Sequence, residues 1–335
     1  MKDSSQKDFP FVTDNFSVQM PALLEKFKLS SATARQFLER FNEIETAYAL
    51  MSDEFSKARF VRELSYLILR DIDQKLAYQI CAEDTPEDVQ YWYDKATEHR
   101  LFDFIDCDEL TSTVRTLSSG YFLSDIFLKE QYAYVSHTAV IRPGSEDICI
   151  DAGACHGDTA IWLTKFCNAA KVYAFEMIPE NAAICRKNFA RYPDLASRIE
   201  VINSGLGDHP STRYYTNLHP GNKGAYSLIL NLEKYISKYG TDNIQSTHIT
   251  SIDHFCEERD LTPTYIKMDI EGAENLALKG AQRLLSRAKP KLAICTYHWP
   301  CDVFELPLLI MSFNQDYRFY LNKYSRGGET VLFCV

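Results

Sequence analysis

Several things are missing from this chain, and each absence removes a class of function. The ten cysteines include no Cys-x-x-Cys pair. Without that spacing the common zinc and dithiol motifs fall away, and reduced, buried thiols of a cytoplasmic protein are expected. No run approaches the roughly 18 apolar residues that cross a bilayer, so no membrane span is expected. The opening Met1-Lys2-Asp3-Ser4-Ser5 lacks the apolar stretch of a secretory signal. Basic runs are also missing, and the formal net charge is -10. Phosphate backbones are held by clustered Lys and Arg, so nucleic acid is not expected as the partner. What remains is ordinary for a soluble globular chain: 46% apolar and 24% charged residues, with a length of 335 that suits one large domain or two modest ones.

Residues 1 to about 15 read as a loose leader. From Pro21 to about Arg100 the pattern is helical. Phe37, Phe41, Ile44, Tyr48 and Met51 recur every three or four residues, and Phe60, Leu64 and Leu67 continue the stripe. At least three amphipathic helices are predicted, which either pack on the chain's own core or form a homodimer interface. The segment 101–145 is irregular, with turn clusters at Ser118-Ser119-Gly120 and Arg142-Pro143-Gly144-Ser145. A boundary near 120 divides an N-terminal helical region, 1–120, from a second domain, 121–335.

After residue 145 strands and helices alternate. Strands are predicted at 147–151, 171–176, 199–203, 265–269 and 291–296. Helices are predicted near 157–167, 180–191, 272–286 and 302–313. Repeated β-α units build a parallel sheet with helices on both faces. The end differs: 318–321 and 330–333 flank Gly327-Gly328 and read as a terminal hairpin. The fold class is therefore α/β, a Rossmann-like, mostly parallel sheet with an antiparallel C-terminal hairpin. That is the plan of class I methyltransferases rather than of dehydrogenases. The stretch 208–262 has room for a substrate loop carrying Asn217, His219, Gly221, Asn222, Lys223 and Tyr226.

The chemistry starts where the first strand of that sheet ends. The apolar run Ile148-Cys149-Ile150 stops at Asp151, and Gly153 and Gly157 then allow a tight turn and a close backbone approach. Asp158 or Thr159 caps the next helix. Cys155 stands where a dinucleotide fingerprint has its middle glycine. Asp151 beside a pyrophosphate would be repulsive, whereas beside an ammonium and a sulfonium it is favourable. S-adenosylmethionine carries both. Glu176, at the next strand end, can accept from two ribose hydroxyls, and Met177 and Ile178 can pack on adenine. The strand-four tract places Asp269, Glu271 and Glu274 within six residues. Glu274 reads equally well as a first-turn helix acid. After strand five come Tyr297, His298 and Trp299. His298 can act as general base, and Trp299 can stack on a flat apolar face.

The tracts IDAGACHGDT, YAFEMIPEN and YIKMDIEGAE, with the terminal hairpin, resemble the FkbM-type methyltransferase family over roughly 120–335. The resemblance implies S-adenosylmethionine-dependent O-methylation of a sugar, glycan or small natural product. Its cofactor set maps onto Asp151, Gly153, Ala154, Gly157, Asp158, Thr159, Glu176, Met177, Asn203, Gly205, Asp208 and Asp269. Asp269 would lie near the transferred methyl. The segment 127–132 is similar to one that closes over the cofactor. Acceptor contacts are expected from Tyr297, Trp299, Asn222, Glu130 and Tyr132.

The sulfonium is already a strong methyl donor. The protein must align an oxygen, exclude water and remove one proton. His298 is expected to take that proton, assisted or replaced by Asp269 or Glu271. No tight ligand spacing supports a metal. Two other functions compete. A nucleotide-dependent oxidoreductase is disfavoured by the missing middle glycine and the hairpin. A non-catalytic, cofactor-binding module is disfavoured by the intact acidic set, although fold alone does not prove activity.

Overall fold

The computed structural model describes residues 15–81, 86–101, 123–217, 226–324 and 329–335. The boundary near 120, the Ser118-Ser119-Gly120 turn, His219, Gly221, Asn222, Lys223 and the Gly327-Gly328 turn lie outside the described residues.

Helices come first: α1 (Phe16–Phe27), α2 (Ala32–Glu39), α3 (Phe41–Leu50), α4 (Glu54–Ile72), α5 (Gln74–Cys81) and α6 (Pro86–Glu98). A short ladder of β1 (Tyr134–Val135) and β2 (Val140–Ile141) follows. Next are β3 (Ile148–Ala152), β4 (Lys171–Phe175) and β5 (Ile199–Ile202). After them stand β6 (Gly205–Leu206), β7 (Ser211–Asn217), β8 (Tyr226–Leu228) and β9 (Gln245–Thr250). The chain ends with β10 (Tyr265–Met268), β11 (Lys291–Cys295), β12 (Phe319–Lys323) and β13 (Thr330–Cys334).

The main sheet, seven-stranded among the described residues, runs β12-β13-β11-β10-β3-β4-β5. The pairs among β11, β10, β3, β4 and β5 are all parallel, and β13 lies antiparallel between β11 and β12. This is the expected sheet with its hairpin. Side chains alternate across it. Ile150, Ile266 and Ile294 join the cluster on one face, and Cys149, Tyr265 and Ala293 join the cluster on the other. All five parallel strands end at one edge, where an open α/β sheet binds its ligands.

Three expectations change. The stretch 208–262 is not one loop. With Gly205–Leu206 it builds a second sheet, β6-β9-β7-β8, and carries helices Leu232–Tyr239 and Ile252–Arg259. The helix near 272–286 is two, Glu274–Lys279 and Gln282–Ala288. Between them the Gly280 carbonyl accepts the Asp253 N–H at 2.8 Å. The helix near 157–167 is a short α segment, Asp158–Ile161, that widens into a π turn, Trp162–Phe166.

The N-terminal stripe is buried within the chain. Phe37, Ile44, Met51, Phe60, Leu64 and Leu67 share one apolar cluster with Phe304, Ile310, Phe319 and Leu321. The turn into α4 and its first residues also complete the backbone of the edge strand β12. The Ser52 N–H donates to Phe319 O at 2.8 Å, and the Leu321 N–H donates to Ser56 Oγ at 3.0 Å. An edge strand covered in this way offers no free template for pairing. Deeper in, Lys323 Nζ and Thr330 Oγ1 donate to Glu63 Oε2 at 2.7 and 2.8 Å, all buried. Among the described residues no helix is long and apolar enough to cross a membrane.

Candidate active site

The β3 strand ends in a turn clamped to its neighbours. The N–H groups of Gly153 and Ala154 both donate to Phe175 O, at 3.0 and 2.9 Å. Gly153 has φ +82°, and a Cβ there would overlap the Asp269 carbonyl. The turn is therefore glycine-dependent and rests directly on the end of β10. Gly157 is also left-handed, and Asp158 and Thr159 open the helix after it.

Asp151 is not where the sequence placed it. It was expected on the ligand's ammonium, but it is wholly buried beneath the turn, with Lys267 Nζ 3.1 Å from Oδ1. Lys267, itself buried, also donates to Ala152 O at 3.2 Å and to Gly153 O at 2.8 Å. Burial pushes the Asp151 carboxyl up, and the Lys267 charge opposes this. The sequence reading assigned Lys267 no role. Its only signal was a cation inside an apolar strand. The acid left at the turn's surface is Asp158, which is partly exposed. Burial raises it to about 6, against the Thr159 N–H and Lys267.

Glu176, buried at the end of β4, is gripped by backbone. Its Oε2 accepts from Cys155 N at 2.9 Å and its Oε1 from Ile178 N at 2.8 Å. Burial pushes it to about 7, more than these two bonds pull it down. Asn203 Nδ2 donates to Glu176 O at 2.8 Å. Met177 lies beside Gly205 of β6, and its carbonyl accepts Thr247 Oγ1 at 3.1 Å. Gly153, Ala154, Gly157, Asp158, Glu176, Met177, Asn203 and Gly205 thus gather around two strand ends. Asp208 instead pairs with His209 and Arg213, at 3.0 and 3.6 Å. The set fits S-adenosylmethionine. Asp158 suits an ammonium, Glu176 a ribose diol and Met177 a purine face, and Gly153 keeps the backbone approach open.

The other half of the crevice is built from side chains at the ends of β10 and β11. Asp269 Oδ1 accepts from Tyr297 Oη at 2.9 Å, and Oδ2 accepts from Tyr132 Oη at 3.0 Å. Burial would raise this acid, but Lys267, His298 and the two hydroxyls together hold it below its usual range. His298, with its side chain 8% exposed, stands among three carboxylates. Nδ1 lies 3.1 Å from Glu274 Oε1, and Nε2 lies 3.4 Å from Asp269 Oδ1 and 3.6 Å from Glu271 Oε2. Burial alone would lower the ring's pKa, but Glu274 first, then Asp269 and Glu271, lift it to about 10. The three carboxylates favour the imidazolium, which has no lone pair for a proton, and this argues against the expected role of His298 as base. Glu271 is raised to about 7, by burial and then by Asp269, with His298 opposing.

The loop holding these acids is strained and braced. Glu271 has φ +55° and Gly272 φ +92°, and a Cβ on Gly272 would overlap the Trp299 indole. Ser227 Oγ of β8 donates to Glu271 O, and Trp299 Nε1 donates to Gly272 O, each at 3.0 Å. Trp299 is 51% exposed, so this bond holds an open aromatic face at the rim. Tyr132 and Tyr297, expected on the acceptor, have their hydroxyls on Asp269. Glu130 lies away from the crevice. It pairs with Arg142 at 2.5 Å, and Arg142 donates to Phe166 O at the far end of the helical segment after β3. Donor atoms of Asp269, Glu274 and His298 lie within 4.8 Å of one another. The imidazole meets the two acids through opposite nitrogens, so one metal ion bound by all three would have to displace both contacts.

A family model for the methyltransferase FkbM domain matches residues 151–324, a little over half of the chain. The crystal structure of methyltransferase FkbM from Methylobacillus flagellatus KT is similar at 21% identity, with a TM-score of 0.58, over 90% of this chain and 60% of that one. The chain therefore spans about 60% of that protein's length, and this likeness shows the fold. An rRNA methylase from Streptococcus thermophilus matches at 15% identity and TM-score 0.35, over 63% of this chain and 92% of that one. TrmK of M. capricolum, solved with S-adenosyl-homocysteine, matches at 13% and 0.31, over 57% and 62%. No curated protein matches. The cofactor to which the family match and the glycine turn both point is S-adenosylmethionine. With this match, the sheet order and the turn at the end of β3, the chain belongs to the FkbM methyltransferase family.

Proposed function

We propose that this chain methylates a hydroxyl oxygen of a sugar, glycan or small natural product. The observation that carries the reading is Glu271. It is a partly exposed carboxylate raised to about 7, beside Asp269 and on the loop that the exposed Trp299 braces. Bound S-adenosylmethionine supplies a methyl on a cationic sulfur that leaves as a neutral thioether. Glu271 takes the proton from the acceptor hydroxyl, since a base works best with a pKa near the working pH. His298, as imidazolium, faces Glu271 and Asp269 and fixes their carboxylates. Tyr132 and Tyr297 keep Asp269 ionised and in place. Trp299 offers a flat face to a sugar ring or other apolar surface.

The acidic crevice supports a neutral acceptor over a polyanion, and so a small molecule or glycan over nucleic acid. Buried free thiols at Cys149, Cys295 and Cys334 support a reducing, cytoplasmic setting. The test has two stages. Calorimetry with S-adenosylmethionine on wild type and Glu176→Ala should show binding that the mutation weakens. A screen of sugar hydroxyls with methyl-labelled cofactor should then find turnover that Glu271→Gln lowers about 10²–10⁴-fold. Full turnover in Glu271→Gln would overturn its role as base.

A further inference from the structure

Glu274 is a buried acid beside the site that this mechanism leaves without a task. It is 1% exposed at the start of helix Glu274–Lys279. A first-turn acid normally faces outward, toward solvent and the helix N-terminus. Here Oε1 turns back to accept the Ile270 N–H at 2.8 Å, and the same oxygen lies 3.1 Å from His298 Nδ1. Glu274 Oε2 and both ring nitrogens are buried without a well-aligned hydrogen bond, so the contact is one of charge. We infer that Glu274 is a positioning residue, which fixes the His298 ring from the protein side so that Nε2 faces Asp269 and Glu271.

The arrangement is a line of carboxylate, imidazolium and paired carboxylates. Glu274 is anchored by backbone, so the ring's inner end is fixed. The outer end is left to orient Asp269 and Glu271. The surrounding charges are Asp269 and Glu271 on the loop after β10, Asp302 on the last helix, Glu329 before β13, and Lys267 behind Asp269. The Tyr297 ring lies against the imidazole at 4.3 Å between centroids. Of the carboxylates nearest the ring, only Glu274 meets Nδ1. The proton lost by the acceptor goes to Glu271, and His298 keeps its own throughout.

This inference rests on the proposed reading of Glu271, and its test is independent of turnover. The full chain, labelled with ¹⁵N-histidine, would be titrated by NMR, with His298→Gln identifying the His298 signals among eight histidines. In wild type the His298 ring should stay protonated well above neutral pH. Glu274→Gln keeps an acceptor for the Ile270 N–H and removes the charge. Its midpoint should fall by at least one pH unit, about tenfold in proton affinity. Glu274→Asp keeps the charge and should hold the midpoint above neutral, which covers the case of a poorly folded Gln variant. An unmoved midpoint in folded Glu274→Gln, or an equal fall in Glu274→Asp, would overturn the inference. The two failures separate cleanly. If Glu271→Gln keeps turnover while the His298 midpoint moves, the base is misassigned and Glu274 still positions the ring. If turnover is lost and the midpoint stays, Glu274 is only a helix acid.

Discussion

The two halves of the crevice hold their acids by different means. Glu176 is held by the backbone N–H groups of Cys155 and Ile178, and Lys267 pulls on it less than either bond does. Asp269 is held by two tyrosine hydroxyls and lies near Lys267 and His298. Desolvation pushes both up, yet Glu176 is raised to about 7 while Asp269 is lowered. Two backbone hydrogen bonds and the pull of Lys267 do not offset the desolvation of Glu176, whereas Lys267, His298 and two tyrosine hydroxyls together do so for Asp269. The cofactor half therefore holds an acid that burial pushes up toward neutrality. The acceptor half holds one favoured in its charged form, Asp269, beside Glu271, which is itself raised to about 7.

The sharpest way to break this contrast is Lys267→Met. It leaves Asp151 buried without its cation and removes a positive charge behind Asp269. A loss of about 3–5 kcal/mol in urea unfolding is expected, and a loss under 1 kcal/mol would show that the pair does not hold the turn. The next effect concerns pH. Glu176 is raised in the fold, so its contribution to stability is fully present below about 4.5 and is lost as pH rises through about 7. That amounts to at most about 3 kcal/mol. Unfolding of wild type from pH 5 to 8 should show this decline, and Glu176→Ala should make it shallower, with Glu271 and Asp158 still contributing. Equal slopes would remove Glu176 as the source. Cofactor affinity should run the other way and strengthen as the carboxylate ionises.

Tyr297→Phe should cost less, about 1.5–3 kcal/mol, by removing one bond to a charged group. It should also raise the Asp269 pKa, which ¹³C-carboxyl NMR can follow. The smallest effect expected is that of Trp299→Phe. Losing the bond to Gly272 O should cost about 1 kcal/mol or less, leave cofactor affinity unchanged and weaken acceptor binding. A changed cofactor affinity would place Trp299 in the other half.

The same division explains what could be read before folding. The turn after β3 is contiguous, and its glycines and Glu176 act through local backbone, so the tract was legible. The second sheet was not. Its β7 strand, Ser-Thr-Arg-Tyr-Tyr-Thr-Asn, is half exposed and has no clean apolar alternation. Nor could Asp151 be told from a ligand-facing acid, because Lys267 lies more than a hundred residues away in the chain. The N-terminal stripe announced helices but not what they cover, since periodicity names a face and not its partner.

Sequence by itself determined the order of strands and helices, the hairpin that closes the sheet, and the glycine turn with its acids. These follow from hydrophobic period, glycine placement and short-range spacing, which act within one element. Tertiary structure alone decided which charges meet. Glu274, Asp269 and Glu271 converge on His298 and favour its protonated form, and Lys267 pairs with the buried Asp151. Charge–charge energies depend on distance and burial between segments, and only the folded chain sets those.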